Sequence, residues 1–138
     1  MPISLLKEIK SQAPEINCEV ASWNTSRAAI INRAAPPFDN AQLRRAIMLT
    51  LDRKAFIDII GEGQGEIGAT MPPPDGVWGM PADMLRTLPG YDPDIAKNCE
   101  QARQIVRTLG YAPRKRLAVT VTTRNVAAYR DPAVILID

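Results

Sequence analysis

Apolar residues recur at helical spacing in several blocks of this chain and alternate with polar ones in three shorter stretches. Near the start, Leu5, Leu6 and Ile9 fall on one side of a short helix that Ser4 can cap and Pro14 stops. Alternation then predicts strands at Ile16–Ala21 and Arg27–Arg33, joined through the polar tip Ser22-Trp23-Asn24-Thr25-Ser26. Pro36-Pro37 breaks the chain. Asp39 or Asn40 caps the next helix, with Leu43, Ala46, Ile47 and Leu51 in register. Asp52 caps another, carrying Phe56, Ile57, Ile59 and Ile60, which Gly61 ends through its freedom to turn left-handed. These two helices are the densest apolar stretch and are expected to form the centre of the core.

Residues 62–92 read as a long irregular segment. Gly63, Gly65, Gly68, Pro72-Pro73-Pro74, Gly76, Gly79 and Pro81 leave room for one short helix near Ala82–Leu88. Such a length is uncommon in a compact domain unless it wraps a surface or serves a site. The clearest helix follows. Asp92 caps it, Pro93 takes its first position, and Ile95, Cys99, Ala102, Val106 and Leu109 line one face up to Gly110, with Tyr111 folding back. Leu117–Thr122 alternates as a strand, and Asp131-Pro132 signals a final helix start. The order predicts an α/β or α+β arrangement of helices packed on a small sheet.

Composition narrows the chemistry. The chain has 138 residues, 46% of them apolar and 23% charged, with a net charge of +2. That fits one water-soluble domain rather than a disordered or fibrous chain. No stretch approaches the ~20 apolar residues of a membrane helix. The N-terminus lacks the basic start, apolar run and cleavage site of a signal peptide. There is no histidine, which removes the Ser-His-Asp and Cys-His nucleophile systems and histidine-ligated metals. Cys18 and Cys99 both fall on apolar faces and read as small buried hydrophobes; sequence leaves open whether they are bridged.

Few residues point to chemistry. From Gln101 to Arg130 the chain carries Arg103, Arg107, Arg114, Lys115, Arg116, Arg124 and Arg130 with no acid between them. The small net charge argues for a solvated basic face rather than a nucleic-acid footprint, so no nucleic-acid partner is expected. Asp92 and Asp94 are explained by capping, and Glu62 and Glu66 have no visible partner, so no catalytic residues are assigned. The glycine-rich run from Gly61 to Gly68 follows a helix and precedes prolines, the wrong context for a phosphate cradle. Trp23 and Trp78 sit in loop-like contexts, either as caps over the core edge or as walls of a ligand site.

The order of motifs then becomes informative. Asn32-Arg33-Ala34-Ala35-Pro36-Pro37-Phe38-Asp39-Asn40, Leu43-Arg44-Arg45-Ala46-Ile47 and Leu51-Asp52-Arg53-Lys54 follow one another in a pattern that resembles family 5 extracellular solute-binding proteins. These are the peptide, oligopeptide and nickel receptors of ABC importers. In them a strand ending in Asn leads to a Pro-Phe-Asp turn, a helix with an Arg-x-Ala signature and an Asp-Arg cap. The Gly61–Gly68 connector, Pro72-Pro73-Pro74 with Trp78, Gly90-Tyr91-Asp92-Pro93-Asp94 with Ala96-Lys97, Leu109-Gly110-Tyr111 and the strand from Leu117 continue the match in order.

The resemblance implies a two-lobed receptor that closes on a small-molecule or peptide ligand and delivers it to the membrane permease of an ABC importer. Residues 1–138 are then a single partial domain, a second-lobe segment of a periplasmic binding protein-like II fold. It implies a periplasmic location, no enzymatic activity and no cofactor. Trp78, Trp23 and Asn24 are expected nearest the cleft. Family members are far longer, with an export signal, a first lobe and a return through the hinge, and their acidic partner for a peptide amino group matches beyond Asp138. In the family's pattern an Arg or similar polar residue would be unsurprising where Cys99 stands. Ala133–Ile137 then reads as the first turn of a helix whose remainder is missing, and the chain is expected to self-associate through that end. The alternative is a freestanding interaction domain, or the product of a decayed gene, without transport activity.

Overall fold

The computed structural model describes residues 3–19, 21, 26–69 and 76–137. Local capping chemistry sets most of its helix boundaries. After α1 (Ile3–Gln12), the Asn40 side chain accepts from the Gln42 and Leu43 amides and starts α2 (Ala41–Thr50). Asp52 accepts from Ala55 N–H and starts α3 (Arg53–Gly61). The expected left-handed residue at Gly61 falls one position later. Gly61 stays helical, Glu62 takes φ +48° and Gly63 takes φ +80°. Both Glu62 and Gly63 amides donate to the Ile57 carbonyl, and Lys7 of α1 pairs with the Glu62 carboxylate. The short α4 (Ala82–Arg86) lies where one helix was expected in the irregular segment.

The cap of α5 (Ile95–Thr108) corrects the sequence reading. Asp94, not Asp92, is the N-cap, accepting from Lys97 N–H at 3.0 Å. Asp92 instead accepts from Asp94 N–H at 3.0 Å, so the two carboxylates act in series and Pro93 stands before the helix. The buried face also shifts by one residue: Asn98 and Ala102 are buried, while Cys99 lies half-exposed at the margin. A polar residue is tolerated inside because the Asn98 amide donates to Asp92 C=O at 2.8 Å. Gly110, at φ +83°, ends the helix, and Tyr111 N–H reaches back to Val106 C=O at 3.1 Å.

The core is not where the apolar density alone would put it. Ala46 and Leu49 of α2 pack against Ala102 of α5, with Ile105 and Val106 completing the cluster. The expected α2–α3 centre is thereby corrected to α2–α5. Helix α3 has no buried residue, and Ile59 remains 61% exposed, because among the described residues its main helical neighbour is α6 (Ala127–Ile137), which touches it only lightly. Helix α6 itself starts earlier than Asp131-Pro132 predicts, its first turn closed by Val126 C=O accepting from Arg130 N–H at 2.9 Å. Pro132 is therefore interior.

Among the described residues no strand forms. The segments expected as strands, Arg27–Arg33, Leu117–Thr122 and the described part of Ile16–Ala21, run without a ladder, and the expected small sheet is absent there. An isolated bridge, Ala112 to Lys115, closes the turn after α5. The physical reason is that alternation needs a partner strand: Val119 and Val121 are exposed, with no ladder beside them to satisfy their backbone. The hairpin tip at 22–25 lies outside the described residues.

Candidate functional site

Arg53, the first residue of α3, is positioned by the Asp52 cap so that its guanidinium reaches across to the turn before α5. Its Nη1 donates to Gly90 C=O at 2.6 Å and to Leu51 C=O at 3.3 Å, and the guanidinium carbon sits 3.9 Å from the Tyr91 ring centroid. Gly90 is buried at φ +79°, against the last turn of α2: a Cβ there would meet the Met48 carbonyl oxygen at 2.2 Å. Only glycine fits that contact. Tyr91 Oη in turn donates to Gly68 C=O at 3.2 Å, tying the connector after α3 to the same turn. One guanidinium thus joins the ends of α2 and α3, the Gly90-Tyr91 turn and, through the phenol, residue 68.

Beyond this clamp, Gly79 N–H donates to Gly76 C=O at 2.8 Å and closes a turn that carries Val77 and Trp78. Helix α4 follows directly, anchored by buried Leu85. Trp78 is 77% exposed, so it does not cap the core edge; its indole is presented to the surroundings. Trp23 and Asn24 lie outside the described residues, so the expected grouping with Trp78 rests on sequence alone. Sequence reading missed the Arg53–Tyr91 clamp as a structural unit, although its signal was present: an Arg directly after a capping Asp, and a Gly-Tyr pair before an Asp-Pro-Asp start.

Several other titratable residues are tied to structural partners. Glu62 is held by Lys7, and Asp92 by Lys97 Nζ at 2.6 Å. That contact, followed by the Asp94 N–H, holds the Asp92 carboxyl below its usual range, and the same carboxylate holds Lys97 above its usual value. Within the basic stretch, Arg103 pairs with Glu100, Arg130 with Asp131, and Arg124 lies 5.9 Å from the Tyr129 ring centroid. Cys18 and Cys99 are free and half-buried. Among the described residues no cluster of metal-ligating side chains occurs, and no helix is long and apolar enough to cross a membrane.

The clamp uses residues from the very motifs that ordered the sequence resemblance, and comparison with known proteins agrees with it. No solved structure matches the chain at a significant level. The chain is 31% identical over 96 residues to heme-binding protein A of Haemophilus influenzae, a span covering 70% of this chain and 14% of that relative. It therefore spans about a seventh of the length of the curated relative it matches. The family model described as "Bacterial extracellular solute-binding proteins, family 5 Middle" matches residues 4–137, nearly the whole sequence. On that match, the chain belongs to the family 5 bacterial extracellular solute-binding proteins.

Proposed function

We propose that this chain is a second-lobe segment of a two-lobed ABC-importer receptor, residues 1–138 forming one partial domain of it. In this reading the receptor captures a peptide or related small solute in the periplasm and hands it to a membrane permease. Family 5 proteins bind small ligands and pass them to such permeases, are typically extracellular or periplasmic, and are in general not enzymes. Trp78 is the residue assigned to the ligand surface, and Trp23 and Asn24 are assigned to it on the sequence pattern alone. The observation that carries this is the indole's 77% exposure on a closed turn. An aromatic face held out by a hydrogen-bonded turn supplies a large contact area at low ordering cost. The turn is followed by an anchored helix, so the ring is presented on a supported element rather than on a loose loop.

The relative's name points to heme as a second ligand class to be tested. The experiment is a titration of the complete receptor, followed by tryptophan emission, with trialanine in one arm and hemin in the other. A saturable change with trialanine that disappears in Trp78→Phe supports the assignment. A change with hemin alone overturns the peptide ligand, and a change that persists in Trp78→Phe removes Trp78 from the ligand surface. The freestanding-domain alternative requires no response in either arm.

A further inference from the structure

Along the seam of α2 and α5, beside the packed core, runs an open groove of about 410 Å³ that takes no part in the Trp78 surface. Its floor is aliphatic, Ile105 and Leu109, both half-buried. Its walls are polar: Gln42 and Arg45 from α2, and Gln101, Gln104 and Thr108 from α5. The helical spacing explains the alignment. Gln42 and Arg45 are three apart, and Gln101, Gln104 or Ile105, and Thr108 are successive turns, so each helix contributes one ridge. Among the described residues the side chains of Gln42, Arg45, Gln101 and Gln104 make no hydrogen bond or ion pair, although their neighbours Arg44 and Arg103 do. No carboxylate lines the groove.

We infer that this groove is a docking surface for an extended acidic peptide segment of a partner protein. The charge is complementary, since the Arg45 guanidinium stands exposed in the wall with no acid to neutralise it within the lining. Carboxamides both donate and accept, so three of them along one trough match the alternating N–H and C=O groups of an extended backbone. The aliphatic floor takes one apolar side chain, and Arg45 takes a carboxylate in the bidentate geometry that a guanidinium offers. The groove is open along its length, a shape suited to a peptide lying across it rather than to a small molecule that must be enclosed.

The test uses two capped peptides, acetyl-Ala-Leu-Glu-Leu-Ala-amide and its Gln counterpart, titrated into the 138-residue chain and followed by amide and side-chain NMR shifts. The acidic peptide is expected to shift the Gln42, Gln101 and Gln104 side-chain amides saturably. Arg45→Gln is expected to weaken it by about 1.5- to fivefold, the range of an exposed ion pair, while leaving the Gln peptide unchanged. Added salt weakens the acidic peptide alone. Because Arg45 is exposed and unpaired, the variant keeps the fold, which far-ultraviolet circular dichroism checks; Gln104→Ala serves as a second variant on the opposite wall. Equal binding of the two peptides, shifts confined to residues outside the groove, or an unaltered acidic-peptide affinity in Arg45→Gln overturns the inference.

Discussion

Gly90 is the residue on which the junction between the helices depends most directly. Its φ of +79° lies in the left-handed region, and a Cβ would stand 2.2 Å from the Met48 carbonyl oxygen, backbone that cannot swing aside like a side chain. Gly90→Ala should therefore lose at least ~3 kcal/mol of stability, combining conformational strain with a backbone shift at the end of α2. Urea unfolding checks it, and a loss below about 1 kcal/mol, the ordinary surface or propensity range, means the turn relaxes freely. The Asp92–Lys97 pair makes a prediction of different form. Asp92 is held below its ordinary 3.8 by Lys97 first and the Asp94 amide second, so near that pH the unfolded chain binds more protons than the folded one. Its stabilisation is present above the unfolded value and is lost as pH falls through the lowered folded value. Lys97 is held above its ordinary 10.5 by the same carboxylate, so its contribution is present below that value and fades as pH rises through the raised one. Lys97 is exposed and Asp92 only half-buried, so the effect is correspondingly small. Asp92→Asn should reduce the drop in urea midpoint between pH 7 and pH 3, because the amide keeps the acceptor for Asp94 N–H but cannot ionise; an unchanged drop assigns the acid sensitivity to other carboxylates.

At the level of elements, Pro132 is the informative misfit. It sits inside α6, where its ring withholds the N–H that would pair with Ala128 C=O and crowds that carbonyl. Pro132→Ala restores a donor and a better helix former, so helical ellipticity should rise, with α6 gaining up to ~3 kcal/mol in local propensity. A fall in ellipticity would show that the proline, not the backbone ladder, sets the helix. The same element shows how sequence legibility divides. Caps at Asn40 and Asp52 and the stop at Gly110 were readable because a side chain or a glycine acts on its own next few residues. Asp94 displaced Asp92 as the α5 cap because both residue types can cap, and only geometry decides between carboxylates two positions apart. The core partner of α2 was not readable, since equal helical stripes on α3 and α5 carry no statement of which meets it. The Arg53–Tyr91 clamp joins residues far apart in the chain, a contact that local pattern cannot express. The strands at Arg27–Arg33 and Leu117–Thr122 have the right alternation and lack a partner, so the pattern was present and the ladder was not.

For the molecule as a whole, exposed surface is the quantity that matters. The chain presents 10,767 Å² at a mass of 15.2 kDa. A compact monomer of that mass shows ~7,100 Å². Part of the exposed surface is apolar: Val119 and Val121 on the unladdered segment, Val126 and Tyr129 at the start of α6, and Val134 and Ile137 along it are each between two-fifths and two-thirds exposed. The packed core is correspondingly small, with Leu43, Ala46, Leu49, Leu85 and Ala102 as its buried hydrophobes. A chain so covered in apolar groups gains by burying them, since each Å² removed from water contributes about 25 cal/mol before ordering costs. In a longer receptor other parts of the protein can do this; in isolation a second copy is the available apolar surface. The 138-residue chain alone should therefore self-associate, its weight-average mass in sedimentation equilibrium rising with concentration across the micromolar range. The unladdered segment is where pairing starts, because its backbone N–H and C=O groups form an open template as well as an apolar face. Val119→Lys with Val121→Lys places charge on that face and should return the chain to monomer while leaving helical ellipticity unchanged, the two positions lying outside every helix. A strictly monomeric parent at all concentrations, or association undiminished in the double variant, refutes this account of the exposed surface.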